Sequence, residues 1–276
     1  MSLVFTMPGK LGDSLHEFPV AYWYCVDQKT TCTIWLDETT CKPLVKLFAA
    51  QPFVDAVELK PGITSWHMGG QPWDFGLSMK DHMDHEIYHL GMRRFPMRQI
   101  TLDALDQVPL SITRRDNQRC LTVVSPAIEH RRLVLHGTFM SHMSGVPGFW
   151  RFLSDQADDL ATRFDEIVFV GTDEERARAL EVYPQWTSFD DQGDFLKLAE
   201  FMANAKMVIG SGSSNVVLAS LLGIPCVRVH DPIGEYAKVI WSNLGENQIN
   251  DTERELRDTW PAFRDRWLHV GVEAPA

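Results

Sequence analysis

The sequence predicts an α/β protein with two Rossmann-like halves facing each other across a cleft. Three observations predict it. Two stretches, one near each end of the 276-residue chain, read as a buried strand, a small-residue turn and a helix that starts at once. Between them, apolar runs of strand length alternate with runs of helix length, which is the pattern of parallel sheets. The hydrophobic share of 45% and the nine tryptophans supply well-buried cores. This length holds two modest domains.

In chain order, Leu3–Thr6 reads as the first strand and Ser14–Cys25 as a helix. Asp13 or Ser14 is placed to cap that helix, starting near Leu15. Cys32–Leu36 is a strand, Cys41–Ala50 a short helix and Val54–Leu59 a strand. Trp66–Phe75 is a Gly/Trp-rich loop, Ser78–Phe95 a helix, and Arg119–Ser125 the last strand of the first half. Pro126–Arg132 reads as the linker. The second half opens with Leu133–Leu135 and a loop from His136 to Gly148. Phe149–Phe164 (helix), Ile167–Val170 (strand), Glu174–Val182 and Asp194–Ala203 (helices) follow. Then come a strand at Met207–Ile209, a strand at Cys226–Val229 and a polar helix at Thr252–Trp267. The expected domains are therefore 1–130, 131–250 and a C-terminal helix, 251–276, returning to the first domain.

The stretch VIGSGSSNVVLASLLGIP, residues 208–225, carries the sharpest chemistry. Val208 and Ile209 end a buried run, residues 210–214 form a Gly/Ser turn, and the apolar run Val216–Leu222 forms a covered helix that Gly223 and Pro225 stop. Free backbone amides and the positive end of the helix dipole meet at such a turn, which suits an anion, most often phosphate. An ordinary strand–helix turn gives the same pattern, and both readings stand on the turn alone. The N-terminal turn Gly9-Lys10-Leu11-Gly12-Asp13-Ser14 is similar but is neither a Walker loop nor G-x-G-x-x-G. Lys10 there is an anion ligand or a solvated lysine.

GKLGDSLHEFP followed by an apolar helix resembles the opening of the ADP-heptose:lipopolysaccharide heptosyltransferases, a family of GT-B-fold glycosyltransferases. Gly12, Asp13, Leu15 and Pro19 fit its GD-x-[LI]-x-x-x-P pattern. Phe169–Glu175 resembles its strand–Gly–acidic turn, Leu196–Ala205 the helix before its nucleotide-site strand, and Ala219–Pro225 its A-A-A-L-G-x-P close. The resemblance implies two facing Rossmann-like domains of GT-B type. It implies an inverting, metal-independent transfer from a nucleotide-diphosphate sugar, with no cofactor, to a glycan or other hydroxyl acceptor. Asp13 then matches the catalytic base, for which a plain N-cap is the competing reading. Gly12, His136, Gly137, Thr138, Ser141, Gly171, Gly210, Ser211, Gly212, Ser213, Ser214 and Asn215 match the nucleotide-sugar site, with His136 or His142 near leaving-group charge.

The chain departs from the family in two places. In G-x-D-[ST]-G-x-x-H the Asp position holds Gly212, the second Gly position Ser214 and the His position Val217. The 136–148 loop also lacks the usual Lys or Arg, since none occurs before Arg151. The backbone cradle survives such changes, whereas side-chain contacts to the donor do not. Two alternatives therefore stay open: a nucleotide-sugar epimerase of the same fold, and a catalytically lapsed nucleotide- or sugar-binding module.

Other features weigh less. His82, His85 and His89 share a helix face, with Asp81 and Asp84 nearby, and lining the acceptor cleft is preferred there to holding a metal. Glu174 and Glu175 read as caps, and Asp231 as a ribose contact or a turn residue. The formal charge of −11 argues against an extended nucleic-acid surface, and the arginines at 114, 115, 119, 131 and 132 read as a solvated inter-domain face. Five cysteines without metal spacing suggest free thiols in a reduced compartment. With neither a signal peptide nor an apolar run long enough to span a bilayer, the expectation is a cytoplasmic protein.

Overall fold

The computed structural model describes residues 3–7, 10–61, 120–126, 130–137, 146–182, 184–211, 213–230 and 248–269. The readings at 66–75 and 78–95, with His82, His85 and His89, lie outside them, as do Thr138, Ser141, His142, Gly212 and Asp231.

The described strands form two separate parallel sheets. The first holds β1 (Leu3–Met7), β2 (Cys32–Asp37) and β3 (Val54–Lys60) in the order β1-β2-β3. The second holds β4 (Arg132–His136), β5 (Glu166–Val170), β6 (Thr187–Phe189), β7 (Met207–Ser211), β8 (Cys226–His230) and β9 (Gln248–Thr252). Its order is β6-β5-β4-β7-β8-β9. Counted from β4, that is the doubly wound order 3-2-1-4-5-6, which reverses direction between β4 and β7. Helices α1 (Leu11–Gln28) and α2 (Val45–Ala49) belong to the first half. Helices α3 (Val146–Arg163), α4 (Asp173–Val182), α5 (Phe195–Met202), α6 (Ser214–Leu221) and α7 (Glu253–His269) belong to the second.

Period-two alternation sorts the second sheet's side chains onto its two faces. Leu133, Leu135, Met207, Ile209, Val227 and Val229 join Phe149, Phe152 and Trp260 in one core under α3 and α7. Val134, Val208 and Cys226 face the other way, into a core that also takes in Phe5, Leu15, Phe18, Ile34 and Phe48 of the first half. This second core lies between the sheets, where α1 packs on α6 and α2 on α5. It explains why α6 is apolar all round: every residue from Asn215 to Leu221 is buried. Gly223 ends α6 at φ 76°, a backbone conformation that favours glycine, and the amides of Gly223 and Ile224 close on the Ser220 and Ala219 carbonyls.

Several element boundaries differ from the sequence reading. The expected strand at 119–125 is not a strand over 120–126. Its hydrogen bonds go elsewhere. The amides of Cys120 and Leu121 both donate to the Leu221 carbonyl at the end of α6, at 2.9 and 3.0 Å. The Gln51 side chain brackets Thr122, donating to its carbonyl at 3.1 Å and accepting from its amide at 2.9 Å. The segment is thus a strap from the first half onto α6. The sequence reading also passed over β6 and β9. Among the described strands both lie at the edges of the sheet, one of three residues and one reading QINDT, so neither shows a buried apolar run.

Candidate functional site

In a doubly wound sheet, ligands bind beyond the carboxyl ends of the strands at the point where the order reverses. Here that point lies between His136, the last residue of β4, and the turn that follows Ser211 at the end of β7. Most of the expected site residues with described positions gather there.

Helix α6 starts at Ser214, two residues earlier than the apolar run suggests, with Ser213 as an extended N-cap. The Val217 amide makes the first helical bond, to the Ser213 carbonyl at 3.5 Å. The amides of Ser214, Asn215 and Val216 therefore have no acceptor within the helix. The Ser213 hydroxyl does not cap them, and its buried Oγ has no hydrogen-bond partner. Gly210 is required by packing. A Cβ there would lie 2.5 Å from Val216 Cγ2 and 3.0 Å from the His136 carbonyl oxygen. The bare backbone is what lets α6 sit this close to the strand.

The N-terminus of α1 arrives at the same place. A Cβ on Gly12 would lie 3.8 Å from both the nitrogen and the Cα of Ser214. Two helix N-termini from different halves therefore converge, and their dipoles add. The expected start of α1 near Leu15 is corrected. The Ser14 amide donates to the Lys10 carbonyl at 3.0 Å, so the helix begins at Leu11. Ser14 is fully buried and caps nothing. Its hydroxyl donates to the Met7 carbonyl at the end of β1, at 3.2 Å, and lies 3.3 Å from Cys41 Sγ. It pins the first turn of α1 to the strand before it. Asp13 is not an N-cap either; it occupies the third position of α1, in the turn that meets Ser214. A carboxylate in a first turn is favoured by the dipole.

His136 is buried behind the turn. Its Nδ1 lies 2.8 Å from the Val170 carbonyl oxygen and 3.0 Å from the Asn215 side-chain amide. A carbonyl only accepts, so Nδ1 holds the ring proton and donates it to Val170. Burial pushes the imidazole below its ordinary range and keeps it neutral. The ring thus ties β4 to β5, and the Asn215 side chain in the first turn of α6 packs against it. Gly137, which follows, is packed tightly: a Cβ would fall 2.2 Å from Phe149 Cε1.

Gly171 lies one strand further out, beyond β5. Its missing Cβ leaves room for Glu175 Oε2, which a Cβ would meet at 2.8 Å. Glu175 and Thr172 form a reciprocal cap on α4. The Thr172 amide donates to Glu175 Oε2 at 2.8 Å, and the Glu175 amide to Thr172 Oγ1 at 3.3 Å. Glu175 is therefore a cap, and the T-x-x-E spacing of Thr172–Glu175 is the signal for it. Among the described residues, no group of His, Cys, Asp and Glu is arranged to hold a metal ion. No helix among them is long and apolar enough to cross a membrane.

The sequence reading missed Arg228, in the middle of β8. It is 1% exposed, and burial pushes its guanidinium down to about 9. The signal was available, because an arginine inside the buried run Cys226–Val229 is costly without a reason.

No protein-family model and no curated protein matches the chain. Solved structures do. A glycosyl transferase of family 9 from Veillonella parvula matches at TM-score 0.61 and 12% identity, over 96% of this chain and 90% of its own. The E. coli heptosyltransferase WaaC, solved with ADP, matches at 0.60 and 13%, over 95% and 100%. E. coli ADP-heptose lipopolysaccharide heptosyltransferase II matches at 0.59 and 10%, over 96% and 99%. At these identities the likeness is one of fold: the chain has, over nearly its whole length, the α/β fold of the heptosyltransferases, as the resemblance of its turns implied.

Proposed function

We propose that the protein is a glycosyltransferase that moves a sugar from a nucleotide-diphosphate sugar to an acceptor hydroxyl, with inversion and without a metal ion. The observation that carries this reading is the meeting of two helix N-termini, α1 and α6, at the point where the second sheet reverses its strand order. The first-turn amides of α6 and the two dipoles hold the diphosphate and stabilise the charge that develops on it as it leaves. Asp13 stands on the opposite half at the same junction. As the acceptor oxygen bonds to the anomeric carbon, Asp13 takes its proton. The bond from carbon to the diphosphate oxygen breaks, and its electron pair leaves with the nucleotide. The ADP in the WaaC structure makes sugars of adenosine diphosphate the first donors to try, and adenosine diphosphate the first ligand. The location we propose is cytoplasmic, which fits five buried, unbridged cysteines.

Asp13→Asn tests the assignment. It keeps the shape of the side chain but cannot take a proton. Transfer falls by roughly two orders of magnitude or more, while donor affinity stays close to parental. Near-parental turnover would remove Asp13 from the mechanism. Gly212 and Val217, which replace the family's Asp and His, favour a second reading: a module that binds nucleotide sugars without transferring them. Tight donor binding by the parent, with no transfer to any hydroxyl acceptor or water, would select it.

A further inference from the structure

Arg228 has no part in the mechanism above, yet its place in the fold puts it at the cradle. Cys226, two residues before it on β8, lies with its Sγ 4.0 Å from the Val216 carbonyl oxygen of α6. Residues two apart on a strand share a face, so Arg228 also points to the α6 side, while Val227 and Val229 face α3 and α7. Two strand residues advance about 6.6 Å toward the carboxyl edge. Helix α6 runs back against the strands and rises about 1.5 Å per residue, so this advance spans roughly four helical positions. Counted back from Val216, Arg228 is level with Ser213, the N-cap of α6. The ladder agrees, because Arg228 pairs in register with Gly210, the last β7 residue on that face before the turn.

Two further observations concern the same spot. The buried Ser213 hydroxyl, at this level, has no hydrogen-bond partner. The loop after β4 carries no Lys or Arg before Arg151, so the helix dipoles would otherwise face a diphosphate without a nearby cation from that loop. Arginine suits the role because its planar fork matches two phosphate oxygens at once.

We propose that Arg228 is a phosphate-binding residue of this site. It holds the donor's phosphates from the strand side while the α6 amides and the Ser213 hydroxyl hold them from the helix side. The proposal rests on the nucleotide-sugar reading of the site.

The test measures the affinity of the parent, Arg228→Met and Arg228→Lys for the ribonucleoside diphosphates of the four bases and for the matching nucleosides, by calorimetry. The expected result is a loss of about 10- to 100-fold in diphosphate affinity for Arg228→Met, with the nucleoside bound as in the parent. Arg228→Lys recovers part of the loss. Should Arg228→Met fail to fold, Arg228→Lys decides: a selective loss of diphosphate affinity supports the role, and parental affinity overturns it. Equal losses for diphosphate and nucleoside in either folded variant also overturn it, because they mark a structural arginine. A parent that binds no nucleoside diphosphate overturns the functional reading as well. A parent that binds well beside an unaffected Arg228→Met overturns only the role of Arg228.

Discussion

Gly210→Ala puts the packing of the cradle to a direct test. The added methyl would stand 2.5 Å from Val216 Cγ2 and 3.0 Å from the His136 carbonyl oxygen. Carbon atoms in contact sit about 3.5–4.0 Å apart, so α6 or its valine must retreat by roughly 1 Å. Neither neighbour yields easily. Val216 is buried on a helix, where one χ1 rotamer dominates for β-branched side chains. The His136 carbonyl belongs to β4 and pairs in register with Gly210. Overpacking of this kind costs about 1–3 kcal/mol, or roughly 2–12 °C of melting temperature in a chain of this size. The urea midpoint should fall with an unchanged slope, and nucleoside diphosphate affinity should fall with it, because the helix that retreats carries the amides. Gly12→Ala is the internal control. Its methyl would make only ordinary contacts, 3.8 Å from Ser214, so its stability should stay within about 0.5 kcal/mol of the parent. A Gly210→Ala protein with parental midpoint and affinity would show that α6 is not held against β7 as described, and the argument for the cradle would go with it.

His136 makes stability depend on pH. Its folded pKa is depressed by burial, so below the ordinary histidine range near 6.5 the unfolded chain binds more protons than the folded one. Stability is then fully present above that range and is lost as pH falls through it; melts from pH 8 to 5 should show the slope in the parent and a shallower one in His136→Gln. Ser14→Ala removes the donor to the Met7 carbonyl and should cost roughly 1–3 kcal/mol in a denaturant titration, since that carbonyl is buried. A parental midpoint would mean that the Ser14 tether does not hold α1 in place.

Much of the fold was legible because its signals are local. The second sheet's inner strands β4, β5, β7 and β8 are short buried runs, which period and length identify without tertiary knowledge. Strands β6 and β9, outermost among the described strands, lack that signal because they are short or polar. The strap at 120–126 has the alternation of a strand, but the amides of Cys120 and Leu121 found an acceptor in the Leu221 carbonyl at the end of α6. The cradle was legible because a strand, a small-residue turn and a helix are contiguous in sequence. Three of its features were not. The start of α1 depends on a buried tether between Ser14 and Met7. The His136–Asn215 contact joins residues 79 positions apart. The closeness of Gly12 to Ser214 depends on how the two halves dock.

That docking bears on how the halves can move. The apolar layer between them includes Leu15 and Phe18 of α1 and Val217 and Leu218 of α6 in one buried cluster. Burying one such side chain is worth about 1.5–3 kcal/mol, so pulling α1 away from α6 would cost several such contributions at once. The Cys120–Leu221 and Leu121–Leu221 hydrogen bonds and the 2.5 Å pair between Lys46 and Asp194 cross the same joint. If the two halves close on a ligand as we propose, these contacts favour a pivot at the α1–α6 contact over its opening. That pivot would lie beside the converging helix ends, so the proposed phosphate site would keep its shape while the outer parts of the two halves swing. On the function we propose, such a site would hold the donor's diphosphate fixed and leave domain motion to admit and release the acceptor.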